Sequence, residues 1–184
     1  IKAWIKETVV GMNTLSVYTQ DLTARQLLQL QYFLQTISHD SQFIKKIDGR
    51  HIEIPVRYGG EYGPDLLDLA QQKNMTVREL VERHTAPIYT VYFMGFQPGF
   101  PYLGGLSPEL YSPRHAVPRL QVPAGSVGIG GEQTGIYPFA SPGGWQLLGR
   151  TELPLFNLKN EQPTLLQAGD TLSFVAIDVI EERL

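Results

Sequence analysis

Residues 95–150 constrain the fold more than any other stretch, because they hold 12 of the chain's 18 glycines and eight of its 13 prolines. Glycine costs about 1 kcal/mol and proline about 3 kcal/mol in a helix interior, so no long helix crosses this segment. Nor does it read as a linker. Phe96, Phe100, Tyr102, Leu103, Tyr137, Phe139, Trp145 and Leu147 are too much apolar surface to leave in water. The segment is therefore predicted to fold as short strands joined by tight, rigid turns. It contains no lysine, and its charges are Glu109, Glu132, Arg114, Arg119 and Arg150. A polar-poor surface dominated by arginine and backbone suits a small ligand that carries a carboxylate or phosphate.

Two regions are predicted around it, with a boundary at about residue 48. The chain opens on Ile1, and IKAWIKE reads as the tail of an amphipathic segment. Upstream residues are expected to complete a small α/β domain over 1–48, which is incomplete at its start. A Gly-Met-Asn turn at 11–13 precedes an alternating strand, TLSVY. Thr23 is an N-cap for a helix to about Ile37, with Leu27, Leu30, Phe33, Leu34 and Ile37 on one face. The polar stretch 38–42 and an Asp48-Gly49 turn end this region.

The second domain, 49–184, starts with the alternating strand HIEIPVRY, in which Pro55 is tolerable at an edge. A short helix over 64–73 begins at Pro64, a favoured first position, and stops at Asn74. Thr76 and Glu79 form a capping box for a second helix ending near His84. IYTVYF is the strongest strand and feeds into residues 95–150, while residues 153–163 form a loop. TLSFVAI closes the chain after a turn at 167–170. Strands at both ends with Gly/Pro turns between them predict a closed β-barrel, since closure leaves no exposed edge. The fold class is α+β.

Composition excludes several functions. A formal charge of −3 argues against nucleic acid as the main partner. No apolar run approaches the roughly 20 residues that span a bilayer, so a cytoplasmic location is expected. There is no cysteine, and no pair among His39, His51, His84 and His115 has metal-ligand spacing, so no metal is predicted. The Gly125–Gly131 run lacks the Gly-Lys-Ser/Thr ending of a phosphate loop and the third glycine of a dinucleotide fingerprint. Ala-Gly-Ser126-Val-Gly resembles a nucleophile elbow, but Ile129-Gly130-Gly131 starts no good helix. Glycines set for positive φ in tight turns are the plainer reading, and their N–H groups can still face an anion.

Four separated motifs carry a resemblance: GFQPGFPYL at Gly95, PRLQVPAGSVGI at Pro118, QTGIYP at Gln133 and PGGWQLLGRT at Pro142. In these the chain resembles the 5-oxoprolinase B-subunit family, also described as the sporulation-kinase inhibitor KipI and as allophanate hydrolase subunit 1. The likeness runs from about Gly11 to Phe174 and lacks the family's first strand and most of its first helix. It implies a small α/β domain followed by a cyclophilin-like barrel. It also implies partner subunits C and A, which together with this chain cleave 5-oxoproline to L-glutamate using ATP as co-substrate. Two other functions stay open: inhibition of a sensor histidine kinase, and a part in a biotin-dependent carboxyltransferase or allophanate hydrolase complex.

Opening a lactam benefits from activating its carbonyl oxygen, which calls for cations and a proton carrier. Arg119 and Arg150 offer always-charged planar forks, and His84 is a candidate proton carrier near neutral pH. Tyr137 and Gln133 are suited to orient the ring amide. With Phe96, Pro98, Gly125, Ser126 and Trp145 they make the expected substrate-binding set. Each has a plainer alternative. Arg150, between Gly and Thr, reads equally as a surface or barrel-rim ion pair, and the plainer alternative for Arg119 is a rim salt bridge to Glu109 or Glu132. His84 at a helix end reads equally as a partner of the last carbonyls. Phe96, Phe100 and Trp145 read first as core.

Overall fold

The computed structural model describes residues 1–11, 14–39 and 49–182, and it divides into two compact units, 1–48 and 49–184. The first unit starts with a short 3-10 turn, Lys2–Trp4, and strand β1, Ile5–Val10. β1 pairs antiparallel with β2, Leu15–Thr19. β1 was not foreseen, because its alternation is hidden by Lys6 and Glu7 beside the apolar pair Val9-Val10. Gly11 N–H closes the hairpin on the Thr14 carbonyl at 2.8 Å; Met12 and Asn13 of the expected turn lie outside the described residues. Helix α1, Ala24–His39, follows. Thr23 caps it as expected, receiving the Gln26 N–H at 3.4 Å while Gln26 Oε1 accepts the Thr23 N–H at 2.9 Å. The predicted apolar stripe is only partly covered: Leu30 is buried, Leu34 and Ile37 half-buried, and Leu27 exposed. The turn at Asp48 and residues 40–42 of the polar stretch also lie outside the described residues.

The second unit is built on β3, His51–Gly59, whose inward residues Ile54, Val56 and Tyr58 are fully buried. Helix α2, Leu66–Gln72, follows. It starts two residues later than predicted, and the Asp65 N–H before it is given to the Leu147 carbonyl at 3.1 Å. Asn74, at φ 54, ends it. Helix α3, Val77–Thr85, has the expected capping box between Thr76 and Glu79. Then come β4, Tyr89–Met94, and β5, Pro101–Gly104. β6, Arg119–Val122, β7, Ser126–Gly130, and β8, Gln133–Ile136, are next. β9, Ser141–Gly143, β10, Gln146–Arg150, and β11, Thr171–Ile180, complete the chain.

Seven strands close into a barrel in the order β10-β3-β11-β4-β5-β8-β7. The β11–β3 pair is parallel and the other neighbours are antiparallel. Pro55 pairs with Val175 of β11, while β10 engages β3 only at Arg57 and Tyr58. The proline thus sits where one side of the strand has no ladder to lose, as an edge position requires. Residues 95–150 give the barrel four strands. They also give a two-stranded arm, β6 with β9, that stands outside it. The main core is aliphatic and joins the barrel interior to Leu66, Leu69, Leu80 and Val81 of α2 and α3. A second, smaller cluster gathers Phe100, Val122, Tyr137, Trp145 and Leu147, with Tyr102 packed against it. Among the described residues no helix is long and apolar enough to cross a membrane.

Candidate functional site

The aromatic cluster is both core and wall. A cleft of about 300 Å³ is bounded by Phe96, Phe100, Tyr102, Tyr137 and Trp145, and by Arg114, His115 and Pro118 with the 142–144 turn. Phe100 stands edge-on to Trp145 at 5.4 Å and to Tyr137 at 5.2 Å, the arrangement that ring quadrupoles favour. The glycines of β7 and β8 make room for the indole. A Cβ on Gly130 would lie 2.5 Å from the indole Nε1. Phe96 differs from the other rings in being 62% exposed, at φ 64. Such a backbone costs on the order of 1–3 kcal/mol for a residue with a side chain. The turn that imposes it is tied by the Gln97 N–H to the Gly95 carbonyl at 2.7 Å and the Phe100 N–H to the Gln97 carbonyl at 3.0 Å.

Polar groups meet this apolar wall at two places. Burial pushes the Tyr137 hydroxyl pKa up, against the opposing effect of a hydrogen bond with the Trp145 backbone and then of Arg114 and Arg119, so it keeps its proton at neutral pH. The Arg114 guanidinium lies 5.8 Å over the Trp145 ring and has no carboxylate partner among the described residues. Behind the cleft, Asp65 is a hub. It precedes α2 but makes no side-chain cap for it. Its carboxylate instead accepts from Leu147 N–H at 2.6 Å, from Arg119 Nη2 at 2.5 Å and from His115 Nε2 at 3.3 Å. The 113–119 segment is further pinned by the His115 N–H on the Gly144 carbonyl at 2.7 Å and by Gln146 Nε2 on the Pro113 carbonyl at 2.9 Å.

Of the residues singled out in the sequence, Phe96, Tyr137 and Trp145 line this cleft, and Arg119 stands behind it, tied to Asp65. The ion-pair alternative for Arg119 holds in kind but with a different carboxylate, since Glu109 pairs with Arg83. Arg119 Nη1 is buried with no hydrogen-bond partner. His84 is elsewhere. It is fully buried in the barrel, stacked on Phe174 at 4.7 Å, with Nδ1 2.8 Å from Tyr58 Oη and Nε2 3.0 Å from Thr134 Oγ1. Thr134 donates its own hydrogen to the Gly128 carbonyl, so Nε2 must carry the proton and Tyr58 donates to Nδ1. Burial lowers the His84 pKa to about 3. A sealed, neutral imidazole with both nitrogens committed does not carry protons at neutral pH, and its ring does not reach the helix carbonyls either.

The remaining expected residues are scattered. Arg150 and Gly125 border a separate shallow depression, where the guanidinium stacks 4.7 Å over Tyr62. The Gly125 N–H is spent on the Tyr137 carbonyl at 2.7 Å, so it does not face an anion. Ser126 is buried in β7, and no histidine or carboxylate bonds its hydroxyl among the described residues. Gln133 Nε2 is buried without a partner, and Pro98 is exposed in the turn after Phe96. Asp65, Arg114 and His115 were missed. The run PRHAVPR, with two arginines flanking a histidine between prolines, held the signal for the last two. No group of three or more His, Asp or Glu side chains is placed to hold a metal ion among the described residues.

Residues 2–166 match the family described as "Carboxyltransferase domain, subdomain C and D". The chain is 53% identical over 176 residues to a 5-oxoprolinase B subunit of Haemophilus influenzae, covering 93% of this chain and 79% of that protein. It is 47% identical over 171 residues to a 5-oxoprolinase B subunit of Escherichia coli O157:H7, covering 93% and 78%. A conserved uncharacterized protein of Pyrococcus horikoshii superposes with a TM-score of 0.68 at 44% identity, over 95% of this chain and 80% of that one.

Proposed function

The chain belongs to the 5-oxoprolinase B-subunit family, and from that premise we propose that it serves as the B subunit of an ATP-dependent 5-oxoprolinase. Working with subunits A and C, it converts 5-oxoproline to L-glutamate with hydrolysis of ATP. The cleft beside Trp145 takes the substrate. One observation carries this reading: an aromatic cleft has at its edge a guanidinium, that of Arg114, with no carboxylate of its own among the described residues. A five-membered lactam with one carboxylate matches that pairing. Its ring lies against Trp145 and Phe96, its carboxylate meets Arg114, and its carbonyl oxygen accepts the Tyr137 hydroxyl, which burial keeps protonated. The Asp65–Arg119 pair supports the floor, and Arg119 is assigned to positioning. ATP meets the complex chiefly through the partner subunits, since residues 95–150 contain no lysine and the Gly125 N–H is already used.

The test is the KM for 5-oxoproline in the assembled complex. A charge-assisted hydrogen bond is worth about 1.5–3 kcal/mol. Arg114→Ala is therefore expected to raise KM by roughly 10- to 150-fold, at an unchanged melting temperature. Arg114→Lys should recover part of the loss, because lysine keeps the charge without the fork. An unchanged KM in Arg114→Ala would remove this residue from the site. Thermal stabilisation by urea, with none by 5-oxoproline, would favour a carboxyltransferase instead.

A further inference from the structure

We infer that His115, held by Asp65, is the proton carrier of the cleft. The inference rests on the reading of that cleft as the 5-oxoproline site. Lactam opening needs such a group whatever activates the carbonyl, because the ring nitrogen has to leave with a proton. Among the described residues that line the cleft, Arg114 is always charged, and Tyr137 is held protonated by burial. Tyrosine in any case titrates near pH 10, far from the working range. An imidazole is the one cleft side chain whose ordinary chemistry exchanges a proton near neutral pH.

The surroundings of His115 turn that chemistry into a defined role. Nε2 faces Asp65 Oδ2 at 3.3 Å, which makes Nε2 the donor and leaves the lone pair on Nδ1. Nδ1 has no hydrogen-bond partner among the described residues. Asp65 is itself fixed by Leu147 N–H and Arg119. It orients the ring while its charge is balanced, as the third member does wherever a base is aimed by a carboxylate. The backbone under the ring is fixed by the bond from His115 N–H to Gly144. His84 shows the contrast, since both of its nitrogens are occupied inside the barrel.

The ATP that the reaction already uses phosphorylates the lactam carbonyl oxygen and leaves as ADP, and a second water releases phosphate from the acyl phosphate that ring opening forms. Water oxygen bonds to the lactam carbonyl carbon, and its proton passes to Nδ1. The ring C–N bond then breaks, its electron pair goes to nitrogen, and nitrogen takes the proton back from Nδ1. His115 ends neutral, as it began.

The experiment uses the assembled complex, measuring glutamate release against pH and 5-oxoproline affinity by calorimetry. General acid–base catalysis contributes about 10²- to 10⁴-fold. His115→Gln is expected to lose kcat by about that factor while binding 5-oxoproline within a few-fold of the parent. The acid limb of the kcat profile should vanish. The charged and titratable groups around the ring are Asp65, Arg119, Arg114, Tyr102 and Tyr137. Asp65→Asn, read beside its melting temperature, separates the carboxylate's contribution, and it should lower kcat. Added imidazole should restore turnover to His115→Ala, a recovery that no merely structural role predicts. Unchanged kcat and acid limb in His115→Gln, or no imidazole rescue, would overturn the dyad and leave the substrate reading standing. Failure of the parent complex to bind 5-oxoproline would overturn both.

Discussion

Two histidines mark how far single residues can be read from sequence. His84 and His115 are each one imidazole in a neighbourhood of mixed polarity, and the chain itself does not say which is sealed. The difference is made by β8 and β3, which bring Thr134 and Tyr58 to the ring of His84 from 50 and 26 positions away. Likewise Asp65 reaches Arg119 across 54 positions. Partners at such separations leave no local pattern, so the hub was invisible while Trp145 and Tyr137 were not. The buried His84 makes a prediction of its own. Its folded pKa is about 3 against an ordinary 6.5, so the unfolded chain binds a proton that the folded chain refuses. Stability is then full above about pH 6.5 and falls, by on the order of a few kcal/mol, as pH drops toward 3. Asp170, held below its usual pKa by Arg50 despite burial, adds to the loss only at the acid end of that range. Chemical denaturation should show the slope beginning well above the carboxylate range. His84→Gln should be less stable at pH 7 by about 1–3 kcal/mol, from imperfectly paired Tyr58 and Thr134 groups, yet flatter between pH 6 and 4.

At the scale of elements the legible parts were those with local causes. The N-cap at Thr23, the capping box at Thr76, the stop at Asn74 and the strands β3, β4 and β11 follow from short-range chemistry. What the chain did not disclose depends on distant neighbours. Just before α2, Asp65 trades backbone and side-chain bonds with Leu147 of β10. β6 and β9 leave the barrel as an arm, although their composition matches that of the strands which stay. The fit of Trp145 against β7 offers a test at this scale. Gly130→Ala puts a methyl 2.5 Å from the indole nitrogen, so the ring must shift out of its place in the cleft wall. Overpacking of this kind costs about 1–3 kcal/mol, read as a lowered melting temperature with altered tryptophan fluorescence. 5-Oxoproline affinity should fall with it. Unchanged fluorescence and affinity would mean that Trp145 is not held in place by β7.

For the whole molecule, the two units and the family place the chain as one subunit of a larger enzyme. Its cleft offers an aromatic wall, a free guanidinium and one oriented imidazole, but no lysine in residues 95–150 and no activated nucleophile among the described residues. On the proposed reading that set is suited to bind and protonate a lactam, and it does not by itself couple the ring opening to ATP. The direct measurement is glutamate release from 5-oxoproline and ATP by the chain alone, by subunits A and C alone, and by all three mixed. The account predicts negligible turnover in the first two and ATP-dependent glutamate formation only in the third. Full turnover by the chain alone, or a mixed complex inert toward 5-oxoproline, would contradict it.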